Sequence, residues 1–170
     1  LFVAPNAPER CDVDPAGYQW WPIDLDRLVE LSIQGVRTAR PVVERFLAEL
    51  WEQTGLGSAE TVLCGFSQGA MVALHVGLAQ SPPVAGIIAF SGALIPPEDL
   101  GRRPGPPILL VHGDADEVVD HHLSVAANEQ LRAAGYDVAL HLSSGFAHTI
   151  SPDGFEAATT FLTRVLPLRA

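Results

Sequence analysis

The sequence predicts an α/β protein whose sheet is mostly parallel and carries helices on both faces. Short apolar runs alternate with segments of helical periodicity along the whole 170-residue chain, which is the order that strand–helix–strand units produce. Residues 84–90 and 107–112 are apolar almost throughout, as expected for strands covered by helices on both sides. No repeat or linker interrupts this order, so we expect residues 1–170 to form one α/β domain.

The first part of the chain predicts one strand, an irregular loop and two helical stretches. Residues 1–4 are apolar and extended in character, and a loop rich in proline and glycine follows them through Gly17. Helical periodicity begins at residue 25. Pro41 fits the first turn of a second helical stretch, since its missing N–H does no harm there, and Gly55 is suited to end it.

The rest of the chain predicts alternating strands and helices. Strands are expected at 61–64, 84–90, 107–112 and 136–142, the last because apolar and polar residues alternate in it. Helices are expected at 68–79, 121–134 and 152–166, where apolar residues recur every three or four positions. We expect Cys64, which lies in an apolar strand, to be a small core residue.

The composition excludes several classes of function. Ten arginines and no lysine stand against 20 acidic residues, which gives a formal charge of −10; such a surface repels nucleic-acid phosphates and anionic lipids. The absence of lysine removes Schiff-base and P-loop chemistry from this stretch. No apolar run reaches membrane-spanning length, so stable membrane insertion is not expected. Cys11 and Cys64 form no disulfide framework, so a reducing, cytoplasmic location is the prediction.

A G-x-S-x-G motif lies directly between a predicted strand and a predicted helix, at residues 65–69. This context is typical of a nucleophile elbow, in which Ser67 protrudes from a turn so tight that the flanking glycines tolerate little beyond hydrogen. The helix that follows begins at Gln68, whose backbone N–H points towards the oxyanion that develops during acyl transfer. Ser67 is therefore the candidate nucleophile.

A serine nucleophile needs a histidine base and a carboxylate that orients it, in that chain order and after later strands. The strand at 107–112 leads into two aspartates. Asp114 is nearer to the strand and suits a turn-bracing role, whereas Asp116 precedes an apolar pair that can hold the loop against the core, so we favour Asp116 as the acid. His148 follows the last predicted strand and precedes the last helix, which makes it the candidate base.

With these motifs in place, the sequence resembles the phospholipase/carboxylesterase family, which includes the acyl-protein thioesterases. The opening Pro-Asn-Ala-Pro at residues 5–8 and the Gln-Trp-Trp at 19–21 also resemble that family, and the resemblance covers essentially the whole chain. It implies an α/β-hydrolase fold with Ser67, Asp116 and His148 as the triad and Asp114 as a structural neighbour. It also implies an earlier loop of His-Gly-x-Gly type that gives a second oxyanion donor. No such loop precedes Ser67, so we predict an N-terminally incomplete copy, for which a signal peptide cannot be judged.

The predicted activity is hydrolysis of carboxylic esters or thioesters with short to medium acyl chains, through an acyl-enzyme. Apolar residues near strand ends are the candidate acyl pocket: Trp20, Trp21, Phe66, Met71, Leu94, Ile95, Val118 and Phe146. Two alternatives stay open, namely a dienelactone-hydrolase-like enzyme, which favours cysteine as nucleophile, and a non-catalytic hydrolase-fold module or inactive fragment. We predict no metal or other cofactor, because position 118 is valine where a calcium loop needs a ligand and no H-E-x-x-H occurs. The expected partner is a small ester or thioester substrate, without nucleic acid, and the sequence is compatible with a homodimer.

Overall fold

The chain begins with irregular structure and a long helix. A computed structural model describes residues 1–24, 27–98, 100–101 and 105–166. Two short strands, β1 (Glu9–Arg10) and β2 (Tyr18–Gln19), pair antiparallel within the stretch predicted as a loop. Helix α1 follows at Leu28–Thr54 and ends at Gly55, whose left-handed backbone (φ 69°) closes its last turn as predicted. Residues 25 and 26, where the predicted helix begins, lie outside the described residues.

Four parallel strands form the sheet that carries the site. β3 is Val62–Phe66, β4 is Gly86–Phe90, β5 is Ile108–Gly113 and β6 is Val138–Ser143, and they are neighbours in that order. Three helices alternate with them: α2 (Gln68–Ala79), α3 (His122–Ala133) and α4 (Pro152–Val165). Because all four strands are parallel, their carboxyl ends lie at one edge, where ligand sites of open α/β sheets are found.

Helices cover both faces of the sheet, which confirms the predicted α/β fold. On one face Ile87 and Leu110 pack against Leu74 of α2 and Leu131 of α3. On the other face the alternate residues of β4 and β5 pack against Phe161 of α4. The α1 helix adds a layer outside α2. Every residue of β4 and β5 is buried, as their apolar sequences predicted.

Two predictions about the edge of the sheet are wrong. Residues 1–4 form no strand: Leu1 and Phe2 are 86% and 96% exposed, and no described strand lies beside them to supply hydrogen bonds. Cys64, expected in the core, is exposed. The reason is that β3, within the described part of the chain, has a neighbouring strand on one side only, so its outward residues have little to pack against.

The predicted break before Pro41 is also wrong, since α1 runs through this proline without interruption. Proline removes one helical hydrogen bond, the one its N–H would donate four residues back. Val36 and Ala39 before Pro41, and Val43 and Leu47 after it, pack into the same apolar cluster as α2. This continuous apolar face outweighs one lost hydrogen bond.

No described helix combines the length and the apolar composition needed to cross a membrane. The long α1 helix carries acidic and basic side chains on its outer face, among them the Arg40–Glu44 pair at 2.8 Å. Its opposite face packs on α2.

Candidate active site

Ser67 is the single residue between β3 and α2, and its backbone has an unusual conformation there. Its φ of 54° and ψ of −121° lie in a region that non-glycine residues seldom adopt. The turn is held because Ser67 N–H donates to Phe90 O at 2.9 Å, and because Ser67 O accepts the N–H groups of Ala70 and Met71. The strand and the first helical turn thus fix the serine at the carboxyl edge of the sheet.

The two glycines that flank Ser67 have different roles. A Cβ at position 65 would overlap the backbone of Gly69 and crowd Ala70 N at 2.5 Å, so residue 65 must lack a side chain if the turn is to close. A Cβ at position 69 would meet nothing within 4 Å. The expectation that both flanking positions tolerate only hydrogen therefore holds for Gly65 and is wrong for Gly69.

Asp116 lies in the loop after β5 with its carboxylate fully buried and fully hydrogen-bonded. Its Oδ1 accepts the N–H groups of Val118 and Val119, each at 2.9 Å, and its Oδ2 lies 2.7 Å from His148 Nδ1. Burial on its own would raise the pKa of Asp116, but the hydrogen bonds from Val119, His148 and Val118 outweigh it and hold that pKa below its usual value. The Asp116 carboxyl is therefore ionised at neutral pH.

Asp114 has the structural position expected for it. Its Oδ1 accepts the N–H of Gly145 at 2.6 Å, so it ties the loop after β5 to the loop after β6 without contacting the imidazole. The second loop carries His148, three residues further along. Asp114 thus braces the loop that holds His148.

His148 bridges the acid and the serine. Its Nδ1 lies 2.7 Å from Asp116 Oδ2 and its Nε2 lies 3.0 Å from Ser67 Oγ. Since an ionised carboxylate only accepts hydrogen bonds, the ring hydrogen is on Nδ1 and the Nε2 lone pair faces the serine hydroxyl. The imidazole is 18% exposed and its ring centroid lies 4.7 Å from that of Phe66, so it is shielded but reachable.

Four of the other histidines contact groups other than Ser67. His75 is buried in α2, where its Nδ1 bonds Ile95 O at 2.9 Å, and His141 pairs with Asp153 on the surface at 2.9 Å. Three side chains could converge on a metal ion, since the candidate ligand atoms of Asp120, His121 and His122 lie within 4.8 Å of one another. These three residues lie around the start of α3. That the reaction needs no metal ion remains a prediction.

The sixth histidine, His112, contacts Asp116, and the sequence does not predict this contact. Its Nε2 lies 3.2 Å from Asp116 Oδ2. The i, i+4 spacing across the strand end is the one signal in the sequence that could have suggested the contact.

An apolar cleft of about 180 Å³ opens beside the serine. Three of the eight predicted pocket residues line it, together with residues of the segment 21–24. The full lining is Trp21, Pro22, Ile23, Asp24, Leu31, Ser67, Gln68, Met71, Val118, Val119 and His148.

The other five predicted pocket residues lie elsewhere. Ile95 is buried in the apolar cluster between α1 and α2, with Trp20 packed against that cluster, and Leu94 packs against the core between α2 and α3. Phe66 stacks on the imidazole rather than lining the cleft. Phe146 is half-buried, and its carbonyl accepts Ala115 N–H at 3.0 Å.

Gln68 links the nucleophile turn to one wall of the cleft. Its side-chain oxygen accepts Trp20 N–H at 2.9 Å and its side-chain nitrogen donates to Trp21 O at 2.8 Å. We call residues 20–24 the tryptophan loop. Gln68 is also the first residue of α2, so its own backbone N–H has no carbonyl within the helix to bond and is available to an oxyanion.

Comparison with known proteins agrees with this architecture. The pattern of the phospholipase/carboxylesterase family matches residues 1–166. The acyl-protein thioesterase 1 homolog 1 of Dictyostelium discoideum is 26% identical over 176 residues, which cover 98% of this chain and 77% of that protein. The esterase YpfH of Escherichia coli is 33% identical over 164 residues, covering 91% of this chain and 66% of that protein.

A solved structure shows the same fold. The crystal structure of esterase PE8 superposes with a TM-score of 0.90 and 50% sequence identity, covering 97% of this chain and 78% of that one. The chain thus spans about two thirds to three quarters of the length of these relatives. A family match along almost the entire sequence, together with this superposition, means that the chain belongs to the phospholipase/carboxylesterase family, a family of hydrolases with the α/β-hydrolase fold.

Proposed function

We propose that the protein hydrolyses carboxylic esters or thioesters through a triad of Ser67, His148 and Asp116. The observation that carries this proposal is the continuous pair of hydrogen bonds from Asp116 to His148 at 2.7 Å and from His148 to Ser67 at 3.0 Å. Three residues from three separate loops seldom meet in this order without a catalytic use. The strained backbone of Ser67 supports the same proposal.

In the acylation half of the reaction, His148 Nε2 takes the hydroxyl proton while Ser67 Oγ attacks the carbonyl carbon. The tetrahedral oxyanion is stabilised by Gln68 N–H at the start of α2, where the helix dipole favours negative charge. Asp116 stabilises the imidazolium that forms and keeps the ring in the required tautomer. His148 then returns the proton to the leaving alcohol or thiol, and the acyl-enzyme remains.

In the deacylation half, a water molecule takes the place of the leaving group. His148 removes its proton, the hydroxide attacks the acyl carbonyl, and the second tetrahedral oxyanion occupies the same site at Gln68 N–H. Collapse of this intermediate releases the carboxylic acid and returns the proton from His148 to Ser67 Oγ. The two halves use the same three side chains and restore the starting state.

The cleft supports an acyl chain of short to medium length as the group that is transferred. Trp21, Leu31 and Met71 line it beside Ser67, and an apolar lining favours a hydrocarbon chain over a polar one. The names of the relatives include both an esterase and an acyl-protein thioesterase, which supports testing both oxygen and sulfur leaving groups.

The test has two parts. A fluorophosphonate probe should label the protein at Ser67, a Ser67→Ala variant should not be labelled, and Ser81→Ala, which alters an exposed serine away from the site, should be labelled like the parent. p-Nitrophenyl esters and acyl thioesters of increasing chain length should then be hydrolysed with an optimum at short to medium chains. Absence of labelling would favour a non-catalytic module, and equal labelling of the Ser67→Ala variant would refute the assignment of the nucleophile.

The setting that we propose for this activity is the cytoplasm. Cys11 and Cys64 are both free thiols, which is the usual state in a reducing compartment. The charge of −10 supports a small-molecule substrate rather than a nucleic acid, since the phosphate backbone would be repelled.

A further inference from the structure

A second imidazole lies next to the proposed acid, and the mechanism above does not use it. His112 is the fifth residue of β5, and its side chain is fully buried. Its Nε2 lies 2.8 Å from Val119 O and 3.2 Å from Asp116 Oδ2. Its Nδ1 lies 2.7 Å from Ser124 Oγ in α3. The ring thus connects α3 to the carboxylate of the triad.

The neighbours of His112 determine where its hydrogen lies. Burial lowers the pKa of His112, and the hydrogen bond to Val119 and the charge of Asp116 only partly oppose this, so the ring is neutral at neutral pH. Both groups near Nε2 are acceptors, namely a carbonyl and a carboxylate. The hydrogen is therefore on Nε2, and Nδ1 accepts the hydroxyl hydrogen of Ser124.

With this hydrogen in place, the Nε2–H of His112 bonds Val119 O at 2.8 Å and also lies 3.2 Å from Asp116 Oδ2, so the two oxygens share it. Oδ1 of Asp116 accepts the two backbone N–H groups of Val118 and Val119, and Oδ2 accepts the His148 N–H and makes the longer, shared contact with His112. A carboxylate held in this way cannot rotate without breaking several charge-assisted hydrogen bonds.

We propose that His112 is a positioning residue of the triad, which shares its Nε2 hydrogen between Val119 O and Asp116 Oδ2 and thereby fixes the carboxylate and moderates its pull on His148. The proposal rests on the function proposed above, since it concerns the same site. A neutral donor withdraws part of the negative charge that Oδ2 would otherwise direct at the imidazolium. Without it, the imidazolium of His148 would be stabilised more strongly relative to the neutral ring.

Other titratable groups near the pair are few among the described residues. His148 faces Asp116 from the loop before α4, and His121, at the start of α3, acts on His112 only as a weak repulsive charge when it is protonated. Asp114 faces the His148 loop through Gly145 N–H. A change in the acidic limb of the pH profile on altering His112 therefore reports on the contact with Asp116.

The test compares His112→Gln with His112→Met, because these two side chains have similar length and only glutamine can donate near the position of Nε2. The quantity measured is kcat/KM for a p-nitrophenyl ester between pH 5 and 9, normalised to active sites titrated with a fluorophosphonate. We expect His112→Met to move the acidic limb upward by about 0.5 pH unit or more and to lower kcat/KM roughly tenfold. His112→Gln should keep the limb near its parental position.

The matched control is His75→Met, which replaces another buried histidine that bonds a backbone carbonyl away from the triad. It should lower the melting temperature without moving the limb, as any purely structural role would. An unmoved limb in His112→Met, or the same shift in His75→Met, would overturn the role of His112 while leaving the triad intact. Hydrolysis that survives in Ser67→Ala would instead overturn the proposed function.

A measurement on the unaltered protein keeps the proposal testable if His112→Met does not fold. The ¹⁵N shifts of histidine-labelled protein distinguish the two neutral tautomers and the imidazolium. His112, assigned by the loss of its signals in His112→Gln, should be neutral with its hydrogen on Nε2 from pH 7 to 9. A hydrogen on Nδ1 with Nε2 bare would refute the donation to Asp116.

Discussion

The two aspartates after β5 offer a sharp test of the site, because Asp116→Asn and Asp114→Asn make the same chemical change two residues apart. Oδ1 of Asp116 accepts the backbone N–H groups of Val118 and Val119, and backbone donors cannot reverse their polarity. An asparagine at position 116 must therefore keep its carbonyl oxygen on that side. Its NH₂ group then points towards His148.

The magnitude follows from this forced orientation. An NH₂ group facing Nδ1 favours the tautomer of His148 with the hydrogen on Nε2, and that hydrogen points at Ser67 Oγ, so the ring cannot take the serine proton. We expect kcat to fall by about 10⁴, the loss known for such a tautomer error in a serine triad, or about 5.5 kcal/mol. At position 114 an asparagine oxygen still accepts Gly145 N–H, so kcat should change less than about threefold.

The assay is steady-state hydrolysis of a p-nitrophenyl ester at pH 8, with active sites titrated in each variant and melting temperatures measured beside it. Retention of more than a tenth of kcat in Asp116→Asn would show that the carboxylate does not orient His148. A larger loss in Asp114→Asn than in Asp116→Asn would show that the two roles are exchanged. Either result would refute the reasoning from the hydrogen bonds.

Three further predictions follow from single contacts. Gly65→Ala should lower the free energy of unfolding, measured in urea, by about 1–3 kcal/mol because its methyl group overlaps the backbone. Gly69→Ala places its methyl group in open space and should raise the free energy of unfolding by up to about 1 kcal/mol. Equal effects of the two variants would refute the steric argument. Gln68→Met removes both bonds to the tryptophan loop, so KM for esters should rise more than kcat falls, and Gln80→Met, at the other end of the same helix, should change neither. Hydrogen bonds from Ser151 and His141 lower the pKa of the Asp153 carboxyl. The ionised carboxylate therefore stabilises the fold fully above about pH 4, and this stabilisation is lost as the pH falls through the folded pKa. Asp153→Asn should reduce the melting temperature more at pH 7 than at pH 3, and an equal reduction would contradict this.

The parts of the fold that local sequence determines could be predicted closely. Helix Gln68–Ala79 has the predicted bounds, and β4 and β5 follow their apolar runs within two residues. The local sequence did not predict the structure where contacts with distant residues determine it. Pro41 indicated a helix start, but packing against α2 carries α1 past it. Residues 1–4 have a strand-like composition, but a strand forms only beside a partner, and no described strand lies there.

The same division applies to the site. The loops that carry Ser67, Asp116 and His148 could be found from the sequence because each follows a strand and the strand order places them at one edge. Pocket residues depend on the direction in which side chains point, which periodicity in a loop does not reveal. Leu94 and Ile95 therefore pack in the core, and the contact of His112 with the acid became visible only in three dimensions.

Gln68 joins the proposed oxyanion site to the wall of the cleft. Its backbone N–H is available for that role because it begins α2, and any residue at position 68 would supply it. Its side chain holds Trp20 and Trp21 by their backbone groups, and the ring of Trp21 in turn occupies the space beside Gly35 that a Cβ would fill. The wall of the cleft is therefore attached to the nucleophile turn through hydrogen bonds that do not depend on the side chains of the tryptophan loop. Those side chains can differ without disturbing the triad, so exchanging Ile23, which lines the cleft, should shift acyl-chain preference while labelling at Ser67 keeps its rate.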